Sequence, residues 1–128
     1  MIAGALRSNG YTFTRQERVG KSLFGGHYIA DLVVEWRGMK YVISCKWQQV
    51  PGTAEQKVLY EIASLIKVVK EGGFGLAFLV IGGPGWSRQF REALLENLHV
   101  NVLKDGELVK VVDLDHMVAI INRGSLTP

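Results

Sequence analysis

The sequence predicts an α/β layered domain built on a central mixed β-sheet flanked by helices, and three observations carry that prediction. Helical stripes and period-two segments follow one another as helix, three strands, helix, strand, helix, strand, before a last strand and helix. The run Gly75 to Ile81, GLAFLVI, lacks alternation, as expected of a strand covered on both faces. With 128 residues, 48% hydrophobic and 21% charged, the chain suits a single domain over residues 1–128 with one core.

Each element has its own signal. Ile2, Ala5 and Leu6 stand at helical spacing in a short opening helix that Gly10 ends. Tyr11 to Val19 alternates and predicts a strand displaying Arg15 and Arg18, with Lys21 just beyond. Gly25-Gly26 turns the chain into an apolar strand, Tyr28 to Trp36, and Arg37-Gly38-Met39 turns it back into Lys40 to Trp47. In that third strand Val42, Ser44, Lys46 and Gln48 share one face, and Tyr41, Ile43, Cys45 and Trp47 the other. Strict alternation in the second strand puts Ile29, Asp31, Val33 and Glu35 together, so the hairpin should bring Asp31 beside Lys46.

Pro51-Gly52 breaks the third strand, and Thr53 is placed to cap a helix from about Ala54 to Glu71, whose stripe is Ile62, Leu65, Ile66 and Val69. Gly72-Gly73 ends it. After the buried strand come the loop Gly82 to Gly85, a helix from about Arg88 to Asn97 that Ser87 is placed to cap, and a short strand over Val100 to Leu103. A hairpin turn at Lys104 to Glu107, a strand over Leu108 to Val112 and a helix from Leu114 to Ile121 complete the chain.

Composition narrows the function. The longest apolar run falls far short of the roughly 20 residues that span a bilayer, and the N-terminus lacks the order of a secretory signal. One cysteine, Cys45, permits no internal disulfide, which suits a cytoplasmic setting. The net charge of +3 is uneven: residues 1–60 hold eight Lys/Arg against four Asp/Glu, while the remainder hold seven against eight. The basic half favours an anionic partner, nucleic acid first.

That half also sets an acid, Asp31, and a lysine, Lys46, inside apolar strands, where a charge is costly unless it faces a partner, water or a metal ion. Hydrolysing a phosphodiester needs such a set: carboxylates and carbonyls for a hard divalent cation, and a lysine near the attacking water. An acid ending one strand and an acid-x-lysine on the next resembles the PD-(D/E)XK nuclease superfamily, over about residues 1–82. The phrase KWQQVPGTAEQK is similar to segments of small bacterial and phage nucleases of restriction and homing type. Gln56 and Tyr60 resemble the Q-x-x-x-Y pair of the RecB-like branch.

The resemblance implies a restriction endonuclease-like three-layer core and a Mg²⁺-dependent DNA endonuclease, with Mn²⁺ a substitute. It matches Asp31 to the first metal-binding acid, Lys46 to the lysine, and Cys45 to the residue whose main-chain carbonyl joins the metal. It implies a phosphate-positioning role for Gln48. Ser44 departs from the pattern by standing where the second acid belongs, which leaves it a hydrogen bond to a water. Some members take the missing carboxylate from the next helix, where Glu61 and Glu55 are candidates. Six residues apart, these two point about 240° away from one another, and Glu61 has the separation from Lys46 that the superfamily favours.

Arg15, Arg18, Lys21, Gln49, Thr53 and Arg88 flank the proposed site as DNA-backbone contacts; Trp86 could stack on nucleic acid or close the core. One domain offers one site and duplex cleavage needs two, so a homodimer or higher homo-oligomer is expected, joined through the last third of the chain. Two other classes fit the residues: a noncatalytic DNA-binding subunit, favoured by Ser44, and a plain interaction domain, favoured by the modest charge.

Overall fold

The computed structural model describes residues 1–49 and 54–126, and the side chains of all of these but 54–56. Its elements are α1 (Ile2–Ser8), β1 (Thr12–Lys21), β2 (His27–Trp36), β3 (Met39–Trp47), α2 (Ala54–Gly72), β4 (Leu76–Gly82), α3 (Arg88–Leu95), β5 (Val109–Asp113) and α4 (Leu114–Arg123). The strands form one five-stranded sheet in the order β1-β2-β3-β4-β5. The pairs β1–β2 and β2–β3 are antiparallel; β3–β4 and β4–β5 are parallel, as strands joined through helices can be.

Helices cover both faces. Ile62, Leu65 and Val69 of α2 pack with Val42, Ala77 and Leu79 in one apolar cluster, which Leu94 of α3 joins. Across the sheet, Ile2 and Leu6 of α1 and Met117, Ile120 and Ile121 of α4 pack on Ile43, Phe78 and Val80. Every β4 residue from Leu76 to Ile81 is buried, which accounts for the unbroken apolar run. Asp113 caps α4 by accepting from His116 N at 2.8 Å, and Gly124, φ +67°, ends it.

One predicted strand is a helical turn. Val100 belongs to a single 3-10 turn, Leu98–Asn101, and a second spans Gly106–Leu108. Asn97 and Asp105, both left-handed, begin these turns, and buried His99 Nε2 lies 2.9 Å from Gly106 O and 2.8 Å from Val109 O. Tertiary contacts have overridden the β-branched pattern of Val100 and Val102. The segment 104–107 accordingly leads into β5 parallel to β4 rather than closing a hairpin.

Strict alternation also fails in β2. Tyr28, Ala30 and Val33 lie in the α2-side cluster, whereas Leu32 and Val34 lie in the other, so the phase reverses at Asp31. Backbone pairing explains it. The β2–β3 register is regular only from Leu32↔Ile43 to Trp36↔Met39, and on the β1 side the regular pairs step from Arg15↔Leu32 to Glu17↔Ala30 across a left-handed Gln16, φ +50°. At Asp31 the pairing with β3 has ended, while the pairing with β1 keeps one register on either side of it. A non-glycine residue at positive φ persists only where its surroundings hold it there.

Candidate active site

Of the predicted residues, Lys46, Glu61 and Ser44 come together on the α2 side of the sheet. Lys46 Nζ lies 3.8 Å from Glu61 Oε2, and the Tyr28 hydroxyl is bonded to Glu61 Oε1 and lies 3.0 Å from Ser44 Oγ. One phenolic proton cannot serve both partners. The acceptor-only carboxylate takes it, and Ser44 donates its own proton to the phenol oxygen. Tyr28 and Ser44 are buried, while Lys46 keeps a side-chain exposure of 48% and Glu61 one of 16%, so the ion pair stands at the mouth of the cluster.

The Tyr28 phenol is pushed up beyond its ordinary range, first by burial, then by the Glu61 charge and hydrogen bond, with a smaller contribution from Asp31. It therefore stays a donor at any physiological pH. Tyr28→Phe should lower the unfolding free energy by about 1–2 kcal/mol in urea titrations, the cost of a hydrogen bond to a charged group that water can partly replace. A variant as stable as wild type would remove Tyr28 as the support of Glu61.

Asp31 goes elsewhere than the simple hairpin suggests. Its Oδ2 accepts from Cys45 N at 2.7 Å, and Oδ1 accepts from Gln16 Nε2 at 3.3 Å. The carboxylate thus takes a main-chain donor where the β2–β3 register has lapsed, one residue short of Lys46. It lines a groove with Met1, Arg15, Gln16, Cys45 and Leu114 on the α1 and α4 side. Cys45 is exposed as a residue, yet desolvation at the groove wall, reinforced by the Asp31 charge, pushes its thiol up to about 11. At neutral pH it is a protonated thiol.

Gln48 is buried and serves the loop after β4. Its Nε2 donates to Gly85 O at 3.0 Å, its main-chain N to Gly82 O at 3.0 Å, and its carbonyl accepts from Gly85 N at 2.7 Å. Trp86 is the core lid rather than a stacking platform: it is buried, donates from Nε1 to Gly82 O at 2.7 Å and stacks on Phe90. Arg15, Arg18 and Lys21 are exposed on β1; Gln49 accepts from Trp47, and Arg88 is paired with Glu92. Pro51, Gly52 and Thr53 lie outside the described residues, as do the side chains of Glu55 and Gln56.

The sequence reading missed Tyr28 and Gln16. An aromatic residue in an apolar strand reads as core, and only its hydroxyl, facing a serine and a helix carboxylate, says otherwise. Gln16 gave no signal, because nothing in a period-two strand announces a left-handed residue.

A model of the PD-(D/E)XK nuclease superfamily domain matches residues 1–125. The chain belongs to that superfamily. Its mixed five-stranded sheet with helices on both faces has the restriction endonuclease-like layering. A solved structure described as a protein of unknown function, AF1548, is similar to it with a TM-score of 0.57 at 19% identity, over 91% of this chain and 56% of that one. The small subunit of the heterodimeric restriction endonuclease R.BspD6I matches at a TM-score of 0.48 and 18% identity, over 94% of this chain and 63% of that one. This chain therefore spans less than two thirds of either. No curated protein matches the sequence. Among the described residues no helix is long and apolar enough to cross a membrane.

PD-(D/E)XK nucleases generally use divalent metals. Among the described residues no three His, Cys, Asp or Glu side chains gather as a ready-made metal cluster. Glu61 stands on the α2 side beside Lys46, and Asp31 beside Cys45 at the groove on the α1 and α4 side, each with one oxygen outside its stronger hydrogen bond: Glu61 Oε2 and Asp31 Oδ1. Mg²⁺ takes one or two protein carboxylates and completes its octahedron with water and substrate phosphate.

Proposed function

We propose that this chain is a Mg²⁺-dependent DNA endonuclease hydrolysing phosphodiester bonds, in which Glu61 on α2 takes the place of the acid that Ser44 lacks. One observation carries the reading: the Glu61 carboxylate stands beside Lys46 and is held there by Tyr28, which Ser44 in turn supports. Asp31, Glu61 and the Cys45 main-chain carbonyl would hold the ion, which supplies Lewis-acid polarisation of the phosphate and a more acidic water.

The chain's own groups do the rest. Cys45 N–H fixes Asp31, Tyr28 fixes Glu61, and the partly exposed Lys46 ammonium orients the attacking water and offsets charge developing on the phosphoryl oxygens. Gln48 acts through the loop it braces, since its amide is already committed to Gly85. Arg15, beside Asp31, and exposed Arg18 and Lys21 supply backbone contacts; Gln49 and Arg88 lie further out, and Thr53 and Glu55 keep their predicted parts as phosphate contact and alternative acid. We read the active species as a homodimer, with the exposed apolar residues Leu98, Val100 and Val102 in the expected last third of the chain. The lone Cys45 suits a reducing cytoplasm.

Incubating wild type and Asp31→Asn with linear duplex, branched and single-stranded DNA in Mg²⁺, Mn²⁺ or EDTA tests this. Asparagine preserves the shape and an acceptor for Cys45 N–H while removing the charge. Cutting by wild type alone, lost in EDTA and second order in enzyme at low concentration, is the expected result. Metal-dependent cutting retained by Asp31→Asn would sink the mechanism. DNA binding without cutting by either would favour the noncatalytic subunit.

A further inference from the structure

Beside Lys46, the same end of the sheet carries a surface that phosphodiester hydrolysis does not itself require. Trp47 closes β3 with 69% of its surface exposed. Its indole is nonetheless fixed: Nε1 donates to Gln49 Oε1 at 3.0 Å, and the ring rests over Gly82, where a β-carbon would come within 2.8 Å of ring carbons. Lys46 and Lys57 flank Trp47 around a cleft of about 80 Å³ floored by Gln48, Val58 and Trp86.

One helical turn beyond Lys57 on α2 stands Tyr60. Its ring centroid lies 5.5 Å from that of Phe24, whose exposure is 85%. Phe24 belongs to the turn between β1 and β2, and exposed Lys21 ends β1 beside it. Across the sheet end the order is Phe24 by β1 and β2, the Lys46–Glu61 pair on β3 and α2, then Trp47 over β4. Lys46 and Trp47 leave opposite faces of β3, yet at its end both line that one cleft, so an open ring face stands beside the ion pair. Lys21, Lys46 and Lys57 supply positive charge, against Glu61, paired with Lys46 and Tyr28, and Asp31, bonded to Cys45 N–H.

We propose that this rim takes single-stranded DNA, with an unpaired base stacked on Trp47 next to the phosphate at Lys46. In an intact duplex each base face is covered by its neighbour, so a rigid open indole gains a contact only from an unstacked nucleotide. Aromatic faces interleaved with cations are how sequence-tolerant single-strand surfaces are built. The substrates favoured are single strands, flaps and branched or frayed ends. The inference rests on the nuclease reading only for which phosphate lies at Lys46; stacking itself needs no cleavage.

Fluorescence anisotropy in EDTA separates the two, using a labelled oligo-dT strand and a blunt duplex of equal length. Wild type should bind the strand more tightly than the duplex. Trp47→Ala should weaken strand binding about tenfold and leave duplex binding unchanged, while Trp47→Phe keeps most of the strand affinity; thermal melts establish that both variants fold. Wild-type preference for the duplex, unchanged strand binding by Trp47→Ala, equal losses for strand and duplex, or no rescue by phenylalanine would each overturn the proposal. Absence of cutting by wild type in Mg²⁺ would count against the nuclease reading and leave these binding results standing.

Discussion

Lys46→Ala should slow DNA cleavage by about 10²–10³-fold in single-turnover assays on plasmid DNA, the range for removing one preorganised charge stabiliser from a reacting centre. Stability should hardly change. The Lys46–Glu61 contact is long, at 3.8 Å, and the lysine is half exposed, so solvent screening leaves little net stabilisation to lose. A large effect on rate with a small one on melting is the mark of a group kept for chemistry. Glu61→Gln should lose activity to a similar extent, and the double variant should fall well short of the product of the two losses, as residues acting as a unit do. Cleavage by Lys46→Ala within about threefold of wild type would contradict the assignment, because losing a preorganised charge stabiliser costs about 10²–10³-fold.

Gly83→Ala should destabilise the fold by about 3 kcal/mol or more, from strain at a left-handed residue and the loss of neighbouring hydrogen bonds. Gly83 sits at φ +93°, and a β-carbon there would lie 2.4 Å from the Gln48 carbonyl oxygen and 2.9 Å from its carbon and nitrogen. Backbone atoms cannot swing aside as a flexible side chain would. Relief means separating the loop from β3, at the expense of the Gln48 N to Gly82 O and Gly85 N to Gln48 O bonds. Urea unfolding reads the effect directly; a loss under about 1 kcal/mol would mean that the loop is softer than its hydrogen bonds suggest.

Much of this arrangement could be read from the residues, for reasons that differ from place to place. The period of two in β3 correctly separated Ser44 and Lys46 from Tyr41 and Ile43, because both faces of that strand are covered and a slip would bury the wrong set. The order of elements through β4 followed from the same patterning. In β2 the pattern misled, because alternation assumes a continuous ladder and the ladder lapses at Asp31. The segment after α3 misled because Val100 and Val102 look like strand residues, while buried His99 and two left-handed residues wind them into turns. Tyr28 was invisible as a site residue because a phenol's function depends on which partners meet its oxygen, and those lie 16 and 33 positions away.

An acid two residues before the lysine on one strand would have its spacing set by the chain itself, about 6–7 Å between α-carbons. With the carboxylate on α2, that spacing depends instead on how the helix rides on the sheet, through Val58, Ile62 and Leu65 against Ala30, Val33 and Val42. The apolar layer beneath α2 is thus part of the site's ruler. Volume changes there, far from any charged group, shift Glu61 relative to Lys46 along with the helix, so the proposed site can be retuned by residues outside it.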